Sequence, residues 1–398
     1  MAMRVETNPL ETAYAGFLLT CLALVLLLFG GALRAQEQAL DASLNESVQM
    51  IVKPGLFNIE LETTIYKPEG AGPFPVVVIN HGKAKGDPRF QRRYRPTIAV
   101  RYFLQRGYAV VVPMRQGFSR SGGSYIGGGC NVESNGRAQA DDVRAVLDYV
   151  VAQPWADRDR LLVIGQSHGG WTTLAFGAQP YPGVKGLINF AGGLRQENCP
   201  GWESTLARAA GSYGRETRVP SIWFYGDNDS RFSPSTFHAM FDQYVAGGAP
   251  AQLVAYGTFG TDAHELFYAR AGAAIWQPEV TRFLERIGLP SQPRAEFARY
   301  GNTRSITPAP PATTFAPLKD ATRLPFVRDT GREGYAKFLT QPLPRAFAIA
   351  PNGAWGWASG GEDPLKRALD NCNRRGQGSC RLYAVDNAVV WNPEASQP

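Results

Sequence analysis

Six short apolar runs recur along the chain, separated by segments with helical periodicity. The runs are rich in Val, Ile, Leu and aromatic residues and lie at 75–79, 108–112, 161–164, 186–190, 222–225 and 253–256. Near-continuous apolar runs are typical of strands that are covered on both faces, as in a parallel sheet. Between them, residues 99–106 end before Gly107, a helix-termination signal, and residues 142–151 repeat apolar positions at spacings of three and four. The pattern predicts an α/β fold with a doubly wound, mostly parallel sheet, which binds ligands at the carboxyl ends of its strands.

A serine follows one of these strands in a glycine-flanked turn. Residues 165–169 are Gly-Gln-Ser-His-Gly, between the run 160–164 and the helix-like segment 170–176. A G-x-S-x-G sequence between a strand and a helix is typical of a nucleophile elbow. The sharp reversal leaves no room for side chains two positions either side of the serine. The helix N-terminus offers free N–H groups to a developing negative charge. The pattern therefore indicates Ser167 as a nucleophile.

A serine nucleophile needs a base, and the chain has only four histidines. His81 ends an early strand, His168 lies within the elbow, and His238 lies in an amphipathic helix, where a surface or packing role is expected. His264 follows the strand 252–256 and lies C-terminal to the serine, which makes it the candidate base.

The acid that orients the base is expected between the serine and the histidine in the chain. The run 219–225 reads as a buried strand and ends in Gly-Asp-Asn-Asp at 226–229. Either Asp227 or Asp229 could serve, and the other would be an ordinary turn former.

Taken together, these motifs resemble the dienelactone hydrolase and prolyl-oligopeptidase-like branch of the α/β-hydrolases. The resemblance covers about residues 45–290 and includes the strand 74–82, which ends in His-Gly. It implies Asp229 as the acid and His264 as the base. It also implies an oxyanion hole formed by the backbone N–H groups of His168 and Lys83. The chain has Lys-Ala-Lys after the His-Gly, where a different branch has three glycines, so Gly82 remains a near alternative to Lys83.

The composition divides the chain into four regions. Residues 1–35 are predicted to be a signal peptide, because the apolar run 16–29 is followed by a small-residue pattern that predicts cleavage near Ala35. An uncleaved segment would instead anchor the chain in a membrane through residues 13–33. In either case the catalytic domain, predicted at 36–290, is exported to the periplasm or secreted. A Pro-rich linker is expected at 291–330 and a small α+β domain at 331–398.

Cysteine usage fits an oxidising compartment. Four cysteines remain after the signal segment, an even number that suggests two disulfides. Cys130 and Cys199 lie on loops expected on the active-site side of the sheet, which predicts that they pair. Cys372 and Cys380 bracket a Gly-rich turn and are predicted to pair locally. Free thiols or zinc ligation are the alternatives, although two thiols with no nearby histidine make a poor zinc site.

These features predict an exported serine hydrolase that cleaves an ester or lactone through an acyl-enzyme. A serine peptidase of the prolyl-oligopeptidase-like type is the alternative within the same chemistry, although only about 40 residues separate the signal from the His-Gly strand, too few for a gating propeller. A binding module on a hydrolase scaffold is the alternative of another class. The net charge of +7 and the 19% of charged residues are ordinary for a globular protein. No nucleotide, haem or phosphate-binding motif occurs, so we expect a small-molecule partner, no cofactor, no metal and no nucleic acid.

Overall fold

The computed structural model describes residues 40–127, 129–301, 307–341, 343–360 and 363–393. The residues described from Asp41 onward belong to one compact unit. The predicted signal or anchor segment 1–35 lies outside the described residues. Within them, no helix combines the length and the apolar character that crossing a bilayer requires.

The larger sheet has eight strands with a mostly parallel arrangement. The strands are β1 (Glu46–Lys53), β2 (Ile59–Tyr66), β3 (Phe74–Asn80), β4 (Ala109–Pro113), β5 (Ala156–Gln166), β6 (Val184–Phe190), β7 (Ser221–Tyr225) and β8 (Ala251–Ala255). Their order is β1-β2-β4-β3-β5-β6-β7-β8. The pairs β1–β2 and β2–β4 are antiparallel, and every pair from β4 onward in that order is parallel. The predicted α/β fold is confirmed.

The six apolar runs correspond to β3–β8, whereas β1 and β2 do not stand out in the sequence. The reason for β2 is that its central residues are polar yet buried: Glu62 is 4% exposed, and Thr63 and Thr64 are fully buried. Their polar groups have partners, since the Glu62 carboxylate accepts the N–H of Arg120 at 3.1 Å. A strand that buries paired polar groups carries no apolar run.

Helices cover both faces of this sheet. They are α1 (Thr97–Leu104), α2 (Val132–Val151), α3 (His168–Gly177), α4 (Trp202–Glu216), α5 (Pro234–Ala246) and α6 (Ala273–Arg286). Alternate residues of β3 enter two different cores, with Val76 and Val78 in one and Val77 and Ile79 in the other. Burial on both faces is why the central strands are continuous apolar runs.

A smaller antiparallel sheet follows. Its strands β9 (Arg345–Ile349), β10 (Trp355–Ser359), β11 (Arg381–Val385) and β12 (Ala388–Val389) lie in the order β10-β9-β11-β12. Two helices accompany it, α7 (Asp329–Leu339) and α8 (Pro364–Gly376). We call the elements from α7 to β12 the small module. The exact boundaries 36–290, 291–330 and 331–398 remain predictions.

A two-residue turn joins β11 to β12. Val385 pairs with Ala388, and Asp386 has the left-handed φ of 52° that such tight hairpin turns require. Asn387 of this turn also contacts Glu265, which lies after β8.

Candidate active site

The predicted nucleophile lies in a strained turn between β5 and α3. β5 ends at Gln166, α3 begins at His168, and Ser167 between them has φ 55° and ψ −123°. A non-glycine residue in such a conformation stores strain, and strain of this kind concentrates at functional sites. The surrounding packing holds it there, because the Ser167 N–H donates to the Phe190 carbonyl at 2.9 Å.

Close backbone packing explains the two glycines of the motif. A Cβ on Gly165 would lie 2.0 Å from the carbonyl oxygen of Gly169. A Cβ on Gly169 would lie 2.1 Å from the carbonyl oxygen of Asn80, at the end of β3. Both obstacles are backbone atoms, so neither can rotate away. The elbow thus packs directly on the strand that leads to the predicted oxyanion residue Lys83.

The predicted acid and base are in contact. The Nδ1 atom of His264 lies 3.0 Å from Oδ2 and 3.1 Å from Oδ1 of Asp229. The Asp229 side chain is fully buried, whereas 13% of the His264 side chain is exposed. The N–H groups of Arg231 and Phe232 also donate to Asp229 Oδ1, at 2.7 and 3.0 Å. This arrangement places the proton of the neutral imidazole on Nδ1 and leaves Nε2 free to accept another.

Asp227, the other candidate acid, takes a turn position instead. Its residue is exposed, and its N–H donates to the Gly257 carbonyl at 2.8 Å. It has the role of a turn former, and Asp229 is the aspartate beside the imidazole.

Three side chains outside the small module hold the turn that carries His264. This 3₁₀ turn, Ala263–Glu265, is called the histidine turn below. The Asp262 carboxylate caps it by accepting the His264 N–H at 3.0 Å. The Tyr256 hydroxyl donates to the Ala263 carbonyl at 2.7 Å, and Gln166 Nε2 donates to the His264 carbonyl at 3.1 Å. Because Gln166 directly precedes Ser167, the histidine turn contacts the elbow.

The two predicted oxyanion donors are the backbone N–H groups of His168 and Lys83. His168 is the first residue of α3, where backbone N–H groups have no intrahelical acceptor. Among the described residues, no protein acceptor bonds to the N–H of His168 or of Lys83. The Lys83 ammonium bonds to the carbonyls of Ala84 and Gly86 at 3.2 and 3.1 Å, and partial burial lowers its pKa. The role of these N–H groups remains a prediction.

The remaining histidines have other environments. His81 is buried, with Nε2 accepting the Arg115 N–H at 3.1 Å and Nδ1 2.7 Å from the Gly82 carbonyl. Burial, and then the nearby Arg115 cation, hold the pKa of both His81 and His168 well below the usual range. His238 is exposed on α5. His264 is thus the histidine that is paired with a carboxylate and partly open to solvent.

Comparison with known proteins gives the same picture. The family model for the X-Pro dipeptidyl-peptidase (S15) family matches residues 58–211, which is less than half of the chain. A curated relative, dipeptidyl-peptidase 5 of Porphyromonas gingivalis, is 24% identical over 183 residues. That match spans 39% of this chain and only 26% of the relative's length. The family match, the strand order and the elbow after β5 all indicate the same fold. The chain has the α/β-hydrolase fold.

Solved structures that overlap this fold include esterases and peptidases. An esterase from Pyrococcus furiosus has 14% identity and a TM-score of 0.47, with 64% of this chain and 95% of that chain covered. A puromycin-hydrolysing peptidase from Mycobacterium tuberculosis has 18% identity and a TM-score of 0.45, covering 63% and 40%. A candidate dienelactone hydrolase from Klebsiella pneumoniae has 20% identity and a TM-score of 0.42, covering 61% and 98%. The assignment of the fold rests on the sheet order and the elbow rather than on these overlaps.

Both predicted disulfides are present in the structure. Cys130 bonds to Cys199, and Cys372 bonds to Cys380. The first bond ties the loop after β4 to the loop after β6, two loops at the carboxyl edge of the sheet. No cluster of three or more potential metal ligands occurs among the residues that the structure describes.

The sequence did not single out Gln166 and Asp262. Both act on the histidine turn through side-chain hydrogen bonds, and Asp262 also accepts from the N–H and hydroxyl of Ser230 at 2.9 and 2.6 Å. A signal for Asp262 was available, because an Asp two residues before His264 is a typical N-cap. Gln166 carries no such local signal, since its partner lies 98 residues away.

Proposed function

We propose that this α/β-hydrolase is an exported serine hydrolase that cleaves an ester or lactone. Ser167 is the nucleophile, His264 the base and Asp229 the residue that orients the imidazole. The observation that carries the proposal is the pairing of the buried Asp229 carboxylate with His264, 3.0 Å from Nδ1. His264 in turn lies on the histidine turn, which contacts the strained elbow of Ser167.

The reaction follows from these positions. Ser167 Oγ attacks the acyl carbonyl while Nε2 of His264 takes the hydroxyl proton, and the imidazolium is stabilised by Asp229. The carbonyl oxygen becomes an oxyanion, which the N–H groups of His168 and Lys83 would stabilise. The imidazolium then gives its proton to the leaving alkoxide, which departs as the alcohol. Water, deprotonated by His264, releases the acid and restores the serine.

Two further observations support the proposal. Each oxyanion donor is typically worth about 3 kcal/mol of transition-state stabilisation, and the N–H of His168 has no protein acceptor among the described residues. The two disulfides support export, because disulfides persist mainly in oxidising compartments.

Loss of the serine hydroxyl tests the proposal. We expect the mature chain to hydrolyse p-nitrophenyl esters and to be labelled by a fluorophosphonate. Ser167→Ala should abolish labelling and lower kcat by about 10⁴-fold or more, because the triad acts as a unit. Ser204→Ala, a matched change at an exposed position of α4, should leave both unchanged. Labelling that persists in Ser167→Ala would assign the nucleophile to another residue.

A serine peptidase is the second candidate, and the match to the X-Pro dipeptidyl-peptidase family favours it. That match ends at residue 211, before the Asp229 and His264 regions. Esters and X-Pro dipeptide anilides, offered side by side to the purified chain, separate the two candidates. Efficient anilide cleavage with weak ester turnover would replace the ester proposal. Absence of any Ser167-dependent turnover would favour a binding module on a hydrolase scaffold.

A further inference from the structure

Among the described residues, one side-chain hydrogen bond joins the small module to the histidine turn. The Asn387 side chain, in the turn between β11 and β12, donates from Nδ2 to Oε2 of Glu265. Glu265 is the last residue of the histidine turn and directly follows His264. A hydrogen bond from another part of the fold therefore ends one residue from the predicted base.

The Asn387 amide is itself fixed from within the small module. Its Oδ1 accepts from Nη2 of Arg345 at 2.8 Å. The Arg345 side chain is buried, and its Nη1 donates to the carbonyls of Leu339 and Gln341 at 2.6 and 2.8 Å, at the end of α7. The amide is thus held at its oxygen by β9 and α7 and presents its nitrogen to Glu265.

The Asp386–Asn387 turn is fixed by the same arginine. The Arg345 N–H donates to Asp386 Oδ1 at 2.8 Å, and the Asp386 N–H donates to the Arg345 carbonyl at 2.8 Å. A two-residue turn with bonds on both sides has little freedom to follow a moving partner, so it acts as a fixed anchor.

Charge across this contact is complementary. Arg345 attracts the Glu265 carboxylate, and Arg270, which lies outside the small module, attracts Asp386 within it. Burial raises the pKa of Glu265, and the Asn387 donor opposes that rise. Burying a carboxylate without a hydrogen-bond donor costs free energy, so the Asn387 bond stabilises Glu265 in its partly buried position.

We infer that Asn387 is a positioning residue, through which the small module fixes the histidine turn and hence the imidazole of His264. The inference rests on the proposed function. Asp262, Tyr256 and Gln166 hold the turn from outside the small module. Asn387 holds it from within the small module, at Glu265, the last residue of the turn. The small module is then part of the catalytic apparatus, and its role extends beyond that of an appended domain.

Kinetics of the full mature chain test this role. Asn387→Ala should lower kcat for p-nitrophenyl esters by about threefold to tenfold, because small misplacements of a catalytic group are costly, and should leave KM within about twofold. Asn387→Asp should lower kcat further, because it places a second carboxylate against that of Glu265. Asn352→Ala is the matched control, because the bonds of its side chain among the described residues lie within the small module, to the Arg375 carbonyl and the Ala354 N–H. It should leave kcat unchanged.

Rescue separates positioning from general stability. Glu265→Gln keeps an acceptor for Asn387, and its kcat is the reference for the double variant. Combined with Asn387→Asp, it supplies a Gln donor to the new carboxylate, and kcat should return to within about threefold of Glu265→Gln alone. Normal kcat in Asn387→Ala and Asn387→Asp would overturn the inference. A loss in Asn387→Asp that Glu265→Gln does not recover would overturn it as well.

Hydrogen–deuterium exchange gives a readout that does not depend on activity. In Asn387→Ala, amides of residues 262–268 should exchange at least about threefold faster, while those of residues 165–171 in the elbow should not change. Unchanged exchange at 262–268 would overturn the inference. If wild type shows no Ser167-dependent turnover, the proposed function fails, and the exchange result still decides whether Asn387 holds the turn.

Discussion

The elbow and the histidine turn supply the two halves of the candidate site, and they are built in opposite ways. The elbow is held by backbone against backbone, with glycines where a Cβ would come within about 2 Å of carbonyl oxygens of Gly169 and Asn80. The histidine turn is held by side chains, with hydrogen bonds from Asp262, Tyr256, Gln166 and Asn387.

This difference has a physical consequence. Backbone packing leaves few ways to relax, so a change in the elbow should disturb the whole turn at once. A network of side-chain bonds loses one member at a time, so changes around the histidine should lower activity in steps. The exception is Asp229, because it bonds to the imidazole itself.

The largest expected effect lies on the histidine side. Asp229→Asn keeps the shape of the side chain but replaces the acceptor with an amide that can hold the wrong imidazole tautomer. We expect kcat to fall by about 10⁴-fold, with little change in folding, measured by ester hydrolysis and circular dichroism.

The matched control is the neighbouring aspartate. Asp227→Asn, on the same loop but exposed, should keep kcat within about twofold, because surface changes away from such contacts have small effects. Equal losses in the two variants would show that the loop, and not the carboxylate at 229, is what matters.

The next effect breaks the elbow. Gly169→Ala would place a Cβ 2.1 Å from the Asn80 carbonyl oxygen and 2.6 Å from that of His81. Because backbone must move, we expect the free energy of unfolding to fall by about 3 kcal/mol, together with most activity, as measured by urea unfolding and ester turnover.

Gly55→Ala provides the control for that change. Gly55 is exposed, and an added Cβ would meet nothing closer than 3.6 Å. Its free energy of unfolding should stay within about 0.5 kcal/mol of wild type. A Gly169→Ala protein as stable as Gly55→Ala would mean that the elbow is less tightly packed than the structure indicates.

The same contrast explains what the sequence could predict. The elbow and the parallel strands β3–β8 are local patterns, in which the residues that decide the structure lie within a few positions of one another. The Cys130–Cys199 pair followed from two loops expected on one edge of the sheet, and the Cys372–Cys380 pair from two cysteines that bracket a Gly-rich turn. The choice between Asp227 and Asp229 needed the family resemblance, because both suit a turn.

The contacts that join distant segments could not be predicted. Gln166 meets the His264 carbonyl across 98 residues, and Asn387 meets Glu265 across 122. Gln166 occupies an unspecified position of the G-x-S-x-G motif and Asn387 lies in a hairpin turn, and neither local pattern indicates the distant partner. For β2, the pattern failed because buried, paired polar groups replace the apolar run.

The smallest effect concerns the two buried histidines beside the elbow. The pKa of His81 and of His168 lies well below the usual range, first because of burial and then because of Arg115. The unfolded chain therefore binds more protons than the folded chain below about pH 6.5, so the free energy of unfolding falls as the pH falls. Each histidine contributes up to about 1.4 kcal/mol per pH unit in that window.

Urea unfolding between pH 7 and pH 5 tests this effect. The free energy of unfolding should change less steeply with pH in His168→Gln than in wild type, whatever its stability at pH 7. His238→Gln, an exposed change on α5, should keep the wild-type slope. Parallel slopes for His168→Gln and wild type would mean that solvent reaches the ring of His168, and that the elbow side of the site is more open than the histidine side.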